Sequence, residues 1–137
     1  MVREYLTWNV MADLPEELRN FLVETCVLGR LTGALCDRLL GRGGSSALLD
    51  ELFRRGIFTV ELDAVDGSYR YHEVLRSHLD RMLVERDGEE RARDRYRRAG
   101  ALLEDSGAAA EALGAFSRAE DWEAVRRLLG EIGRAHV

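Results

Sequence analysis

Apolar residues recur along most of this chain at intervals of three and four, and the rhythm breaks once. Leu18, Phe21, Leu22 and Cys26 lie at helical spacing. The single proline stands just ahead of them, in Asp13-Leu14-Pro15-Glu16-Glu17. In a first helical turn its missing N–H sacrifices no hydrogen bond. Glu16 and Glu17 then sit at the positive end of the helix dipole. The spacing predicts a helix over about 15–27. Upstream, Tyr5, Leu6, Trp8, Val10 and Met11 suggest a short helix of mixed pattern.

Thr32 is placed to cap a second helix carrying Leu35, Cys36, Leu39 and Leu40. Gly41-Arg42-Gly43-Gly44 stops it. Ser45 or Ser46 is the expected cap of a third, with Leu48, Leu49, Leu52 and Phe53 on one face and Gly56 at its end. There the period changes. Ile57-Phe58-Thr59-Val60-Glu61-Leu62 is β-branched and aromatic, Asp66-Gly67 is a turn signal, and Ser68-Tyr69-Arg70-Tyr71-His72 reads as the returning strand. This hairpin is the one strand pair the pattern offers. Beyond it the chain reads as helical: Val74, Leu75, Leu79, Met82 and Leu83 on one helix to about Asp87-Gly88, then helices over about 89–105, 109–119 and 122–132.

Three helices, a hairpin and a closing helix are the order of a winged-helix domain. The expected fold is therefore mainly α: a winged-helix-like unit, compact over about 13–86, followed by antiparallel α-helical hairpins. The expected division is 1–87 for the winged-helix domain with its N-terminal helix and 88–137 for a repeat-like arm. The charged stretch Glu85-Arg86-Asp87-Gly88-Glu89-Glu90 forms the joint. In the arm, Tyr96, Gly100, Leu103, Ala112, Phe116 and Ala119 fall at key positions of a tetratricopeptide-type hairpin. Gly100 and Ala112 are small where two helices would press together, and Tyr96 and Phe116 fill the space between. Ala99 stands where a larger apolar residue is usual, and no proline closes the unit, so a generic Ala-rich helical hairpin is the competing reading. One such repeat buries little alone, so further repeats are expected in a longer parent protein.

Composition changes this picture little. Of 137 residues, 46% are hydrophobic and 33% charged, a globular balance. No apolar run approaches the ~18 residues of a membrane span, and the N-terminus lacks the apolar core of a signal peptide, so the expected compartment is the cytoplasm. The net charge of −5 makes a poor non-specific nucleic-acid binder. All twenty cationic residues are arginine, a skew most simply explained by codon bias. Cys26 and Cys36 have no Cys or His partner at zinc-ligand spacing and read as reduced core thiols.

Several segments taken together resemble a known family. They are Leu14-Pro15-Glu16-Glu17-Leu18-Arg19-Asn20-Phe21-Leu22, Thr25-Cys26-Val27-Leu28 to Leu31-Thr32-Gly33, Leu48-Leu49-Asp50-Glu51-Leu52, Gly56-Ile57-Phe58, Tyr69-Arg70-Tyr71-His72-Glu73-Val74-Leu75-Arg76, and Ala119-Glu120-Asp121-Trp122-Glu123. Their order resembles the middle of the MalT-like, large ATP-binding regulators of the LuxR family, signal-transducing ATPases of the STAND class. The resemblance covers about residues 3–132. It implies a P-loop ATPase module before this section, a tetratricopeptide-like sensor arm continuing from it, and a C-terminal DNA-binding helix-turn-helix. This chain carries no Gly-x-x-x-x-Gly-Lys-Ser/Thr loop and no lysine at all. Gly41-Arg42-Gly43-Gly44-Ser45-Ser46 is Gly-rich but follows a helix. The chain therefore reads as an excised fragment, or as a protein reduced to the switch-and-arm section.

The resemblance singles out His72. In STAND proteins a winged-helix histidine touches the β-phosphate of ADP and holds the closed state, and Tyr71-His72-Glu73 resembles the triplet that carries it. A histidine at a strand-to-helix junction can donate to a phosphate beside the helix N-terminus. The competing role for His72 is to cap that helix or to pack under the hairpin. Arg54, Arg55, Arg70 and Arg76 surround the third helix and the hairpin, where a DNA-binding winged helix touches phosphate. Asp50 and Glu51 on the same helix oppose that use. Arg91, Arg93, Arg95, Arg97 and Arg98, interspersed with acids, read as a solvated face. His72 and His78 are not on one helical face, so no metal pair is expected, and His136 lies near the terminus. No catalytic arrangement is present, and no enzyme is expected from this chain. The expected function is that of a regulatory section coupling the nucleotide state of an absent ATPase module to signal sensing. ATP or ADP would bind in the parent protein, not here. The partners would be the ATPase module, the rest of the arm and possible further copies of the chain, with no membrane and no DNA. The alternative is a stand-alone winged-helix DNA-binding protein with a helical dimerisation tail.

Overall fold

The computed structural model describes residues 12–57, 59–63 and 65–135. The helix expected at 5–11 and His136 lie outside them. In chain order the described elements are α1 (Glu16–Thr25), α2 (Gly33–Leu40), α3 (Ser45–Arg54), β1 (Thr59–Asp63), β2 (Ser68–Tyr71), α4 (Glu73–Asp87), α5 (Glu89–Asp105), α6 (Ala109–Arg118) and α7 (Trp122–Ala135). The mainly-α, winged-helix-like architecture is the one expected.

Local chemistry accounts for most of the boundaries. Pro15 is the N-cap residue of α1 and Glu16 and Glu17 fill its first turn. The helix stops at Thr25, two residues before its apolar rhythm does. Val27 and Leu28 are buried because the following loop turns into the core, not because the helix continues. Thr32 caps α2 as expected, its hydroxyl accepting from Leu35 N–H at 3.1 Å. Gly41, at φ 70°, closes α2 in the left-handed region that favours glycine.

The cap of α3 differs from the expectation. Gly44 is the N-cap residue, and neither Ser45 nor Ser46 supplies the acceptor. Asp37, reaching across from α2, takes the Ser45 N–H on its Oδ1 at 3.0 Å. Ser45 is buried instead, and its hydroxyl has no hydrogen-bond partner among the described residues. The starts of α2 and α3 press so close that a Cβ on Gly33 would lie 2.8 Å from Ser46 Cβ. A side-chain acceptor from the neighbouring helix replaces the local one.

β1 and β2 pair antiparallel, Thr59 opposite Tyr71 and Val60 opposite Arg70, with an irregularity between Glu61 and Asp63. A further bridge escaped the sequence pattern. Leu31 exchanges both backbone hydrogen bonds with Tyr69, each 2.8 Å long. One bridged residue has no period to detect. Tyr71 closes β2 against α1: Thr25 Oγ1 donates to Phe21 O at 2.6 Å and lies 2.7 Å from the Tyr71 hydroxyl. The threonine proton is already engaged, so Tyr71 is the donor of the second bond.

One apolar cluster runs through the whole molecule. Phe21, Leu22, Leu31, Leu49, Leu52, Leu75, Leu79 and Leu83 form its winged-helix part, and it continues through Ala92, Tyr96, Ala99 and Leu103 to Phe116 and Leu128. Gly88, at φ 91°, turns the chain between α4 and α5. In the arm, Gly100 lies directly under Phe116; a Cβ there would stand 2.8 Å from the ring. Ala112 and Ala119 are buried. The small residues are where the repeat pattern placed them.

Candidate functional site

The hairpin hands the chain to α4 at His72, and the handover is a helix cap. His72 is the N-cap residue of α4, with its Nδ1 accepting from Val74 N–H at 3.2 Å. The side chain is exposed, so of the two structural roles the cap is made and the packing under the hairpin is not. The first-turn amide groups of α4 give this corner positive potential, and Glu73 beside it adds a negative charge.

The four arginines divide into two pairs. Arg70 on β2 and Arg76 on α4 line one shallow groove with Leu28, Leu62, Tyr71 and Glu111 of α6. Glu73 lines it too, so the groove carries both signs. Arg54 and Arg55 are elsewhere, at the end of α3, and are engaged. Arg54 reaches Asp50 and Glu51, each at 3.0 Å, and Arg55 reaches Glu51 at 2.8 Å. The Arg55 hydrogen bond holds the Glu51 carboxyl below its ordinary range. The helix that a DNA-reading winged helix lays in the major groove therefore satisfies its own cations.

The most connected polar cluster was not a candidate on sequence. Asp80 of α4 accepts from the Tyr96 hydroxyl of α5 at 2.6 Å. It also takes a two-pronged contact from Arg118 of α6, Nε to Oδ1 and Nη2 to Oδ2, both 3.2 Å. Arg118 in addition donates to Glu89 at 2.9 Å, and its guanidinium lies 5.0 Å from the centre of the Tyr96 ring. Burial works against charge on Arg118, but the Glu89 and Asp80 acceptors outweigh it and raise its affinity for the proton. Burial foremost, with the neighbouring Cys26 and the Asp80 carboxylate that accepts its hydrogen bond, holds the Tyr96 phenol well above its ordinary range. One signal could have exposed the cluster: a tyrosine rather than a phenylalanine at a buried repeat position needs a partner for its hydroxyl.

The arginines of α5 lie on the solvated face their pattern suggests, with Arg91, Arg97 and Arg98 exposed, and most of them are paired as well. Arg95 pairs with Asp87 across the Gly88 turn at 2.9 Å, Arg93 and Arg97 reach Glu120 and Asp121 beyond α6, and Arg98 donates to Arg38 O on α2. Cys26 and Cys36 are free and buried, and burial pushes each thiol up to about 12. No group of three or more metal-ligating side chains occurs among the described residues. No helix among them is long and apolar enough to cross a membrane.

The family model of the MalT winged helix domain matches residues 7–91. The serine/threonine-protein kinase PknK of Mycobacterium tuberculosis is 34% identical over 113 residues, 82% of this chain and 10% of the kinase. The HTH-type transcriptional regulator MalT of Vibrio cholerae is 28% identical over 130 residues, 95% of this chain and 14% of the regulator. MalT of Klebsiella pneumoniae is 30% identical over 76 residues, 56% of this chain and 8% of the regulator. The chain spans about a tenth of the length of these relatives.

Proposed function

Because the chain belongs to the MalT winged-helix domain family, we propose that it is the switch-and-arm section of a MalT-like, STAND-type regulator. In this reading the chain has no chemistry of its own. A cytoplasmic ATPase module elsewhere in the same protein holds ATP or ADP. The winged helix packs differently on that module in the two nucleotide states, and the arm exchanges this difference for a signal received through protein contacts. The observation that carries the proposal is a contrast between two helices. α3 spends its cations on its own acids, while α4 is tied by packing and by Asp80 into the arm. That is the build of a transmitting element rather than a DNA-reading one. The relatives support it, since one is named a kinase and others are named transcriptional regulators, and a shared section fits a relay better than an output. The arm's outer helix supports continuation into further helices: α7 buries Ala124 and Leu128 but leaves Trp122 and Leu129 half exposed.

His72 is the residue assigned to the nucleotide. Its test separates that role from the cap. Asn at an N-cap accepts a hydrogen bond as well as histidine does, so His72→Asn keeps α4 capped while removing the imidazole. In the complete regulator, both His72→Asn and His72→Ala should weaken ADP retention. One charge-assisted hydrogen bond is worth roughly 1.5–3 kcal/mol, hence about one to two powers of ten. In this chain alone only His72→Ala should lower stability. Unchanged ADP retention in His72→Asn would remove His72 from the nucleotide. A salt-sensitive gel shift by this chain on mixed-sequence DNA would favour the stand-alone DNA-binding reading instead.

A further inference from the structure

We propose that Asp80 is the clasp that fixes the angle of the arm on the winged helix. Three elements converge on this one carboxylate: it belongs to α4, Tyr96 comes from α5, and Arg118 comes from α6. Glu89, the first residue of α5, completes the set by holding the third nitrogen of Arg118. A contact that takes one donor from each helix of a hairpin constrains that hairpin as a body.

Magnitude singles Asp80 out among the contacts crossing the joint. The Arg38–Asp105 pair and the Arg98 hydrogen bond to Arg38 O also bridge winged helix and arm, but both are exposed, the pair's side chains by 50% and 68%, and such contacts contribute little. The Arg95–Asp87 pair spans only the turn at Gly88 and leaves α6 free. Arg118 and Asp80 are only 30% and 27% exposed, and the fork fixes direction as well as distance. The apolar cluster beneath supplies the attraction between the two parts, and the fork adds a directional contact to it. Asp80 is open to competition, because it lines a groove with Arg76, Arg81, Tyr96 and Arg118 that faces solvent. Its regulatory meaning rests on the relay reading above; the mechanical role does not.

The test is a distance measurement between nitroxide labels on Ala47→Cys of α3 and Arg126→Cys of α7, two exposed positions. The buried native thiols stay unlabelled. The otherwise unaltered chain should give one narrow distance distribution. Asp80→Asn and Arg118→Gln should each add a second population, raising the ratio of undocked to docked arm about tenfold. Tyr96→Phe, which removes a single donor and keeps the fork, should lie between. Arg127→Gln, which breaks a pair with Glu104 inside the arm, should change nothing. A distribution unchanged in both Asp80→Asn and Arg118→Gln, with helical circular dichroism retained, would overturn the clasp. If Asp80→Asn unfolds, Tyr96→Phe decides: an unaltered distribution refutes the clasp and a widened one supports it. A widened distribution with unaltered output of the complete regulator would support the clasp and sink the relay.

Discussion

Gly100 is the sharpest test of how the arm is packed. A methyl group placed there would meet three carbons of the Phe116 ring at 2.8–2.9 Å. Carbon atoms prefer 3.5–4.0 Å, so ring or helix must yield by about 1 Å. Phe116 is only 4% exposed and cannot swing into water. Overpacking of this kind costs about 1–3 kcal/mol. Against it stands the better helix propensity of alanine, worth about 1 kcal/mol. Gly114 isolates that second effect. It lies within α6, and nothing stands within 4 Å of an added Cβ. Gly114→Ala should therefore stabilise by about 0.5–1 kcal/mol, and Gly100→Ala should fall below it by about 1–3 kcal/mol, whatever the propensity scale. For a chain of this size ~1 kcal/mol moves Tm by roughly 3–5 °C. Thermal and urea melts of the two variants, followed by circular dichroism, measure the gap. Phe116→Leu in the Gly100→Ala background should recover part of the loss, as neighbours in contact do not add. If Gly100→Ala melts at or above Gly114→Ala, the close approach of α5 and α6 is wrong.

The remaining predictions concern a cap and the two thiols. Asp37→Ala removes the acceptor for α3's first N–H and should cost about 1 kcal/mol in urea unfolding. Ser45→Ala deletes a buried hydroxyl without a described partner and should be neutral or stabilising; the reverse ranking would restore Ser45 as the cap. Burial raises Cys26 and Cys36 from 9.0 to about 12. Between those values the unfolded chain loses thiol protons that the folded chain keeps. Stability should thus be intact below pH 9 and fall as pH rises above it, by about 1.4 kcal/mol per pH unit for each thiol. Urea midpoints taken from pH 8 to 10 should flatten when both are replaced by alanine, and an equally steep fall in that variant would assign the dependence to other groups.

What could be read from the sequence was what repeats or caps locally. Leu18, Phe21 and Leu22 announce α1 because a helix face recurs every three or four residues, and the change at Ile57 announces the hairpin because β-branched residues cluster there. Gly100 and Ala112 were legible because small residues at set spacing have one mechanical use. Three features were not, and all are contacts between different elements of the fold. Asp37 caps a helix eight residues on, Leu31 bridges Tyr69, and Asp80 receives Tyr96 and Arg118. A lone aspartate on an amphipathic helix looks the same on paper whether it faces water or two donors. His72 was legible as a junction residue, and the structure adds that its ring caps α4.

The placement of Asp80 also bears on how such a section could switch. A relay needs a contact whose loss changes an equilibrium by a moderate factor, because a ligand can shift two states only by its differential affinity for them. Fully exposed ion pairs contribute too little to bias anything. A fully buried pair is costly to break, since the stranded charge has no water to receive it. Half-buried groups fall between these limits. Asp80 and Arg118 lie beside a solvent-facing groove, so water can take over their fork as it opens, while the Tyr96 ring stays in the core. The shared apolar core keeps the two parts associated while that happens, as burial of Leu79, Leu83, Ala92 and Leu103 is non-directional. Holding and orienting are thus assigned to different chemistries. On the clasp proposed above, a substitution loosens the angle of the arm without detaching it, which is the behaviour the proposed relay requires.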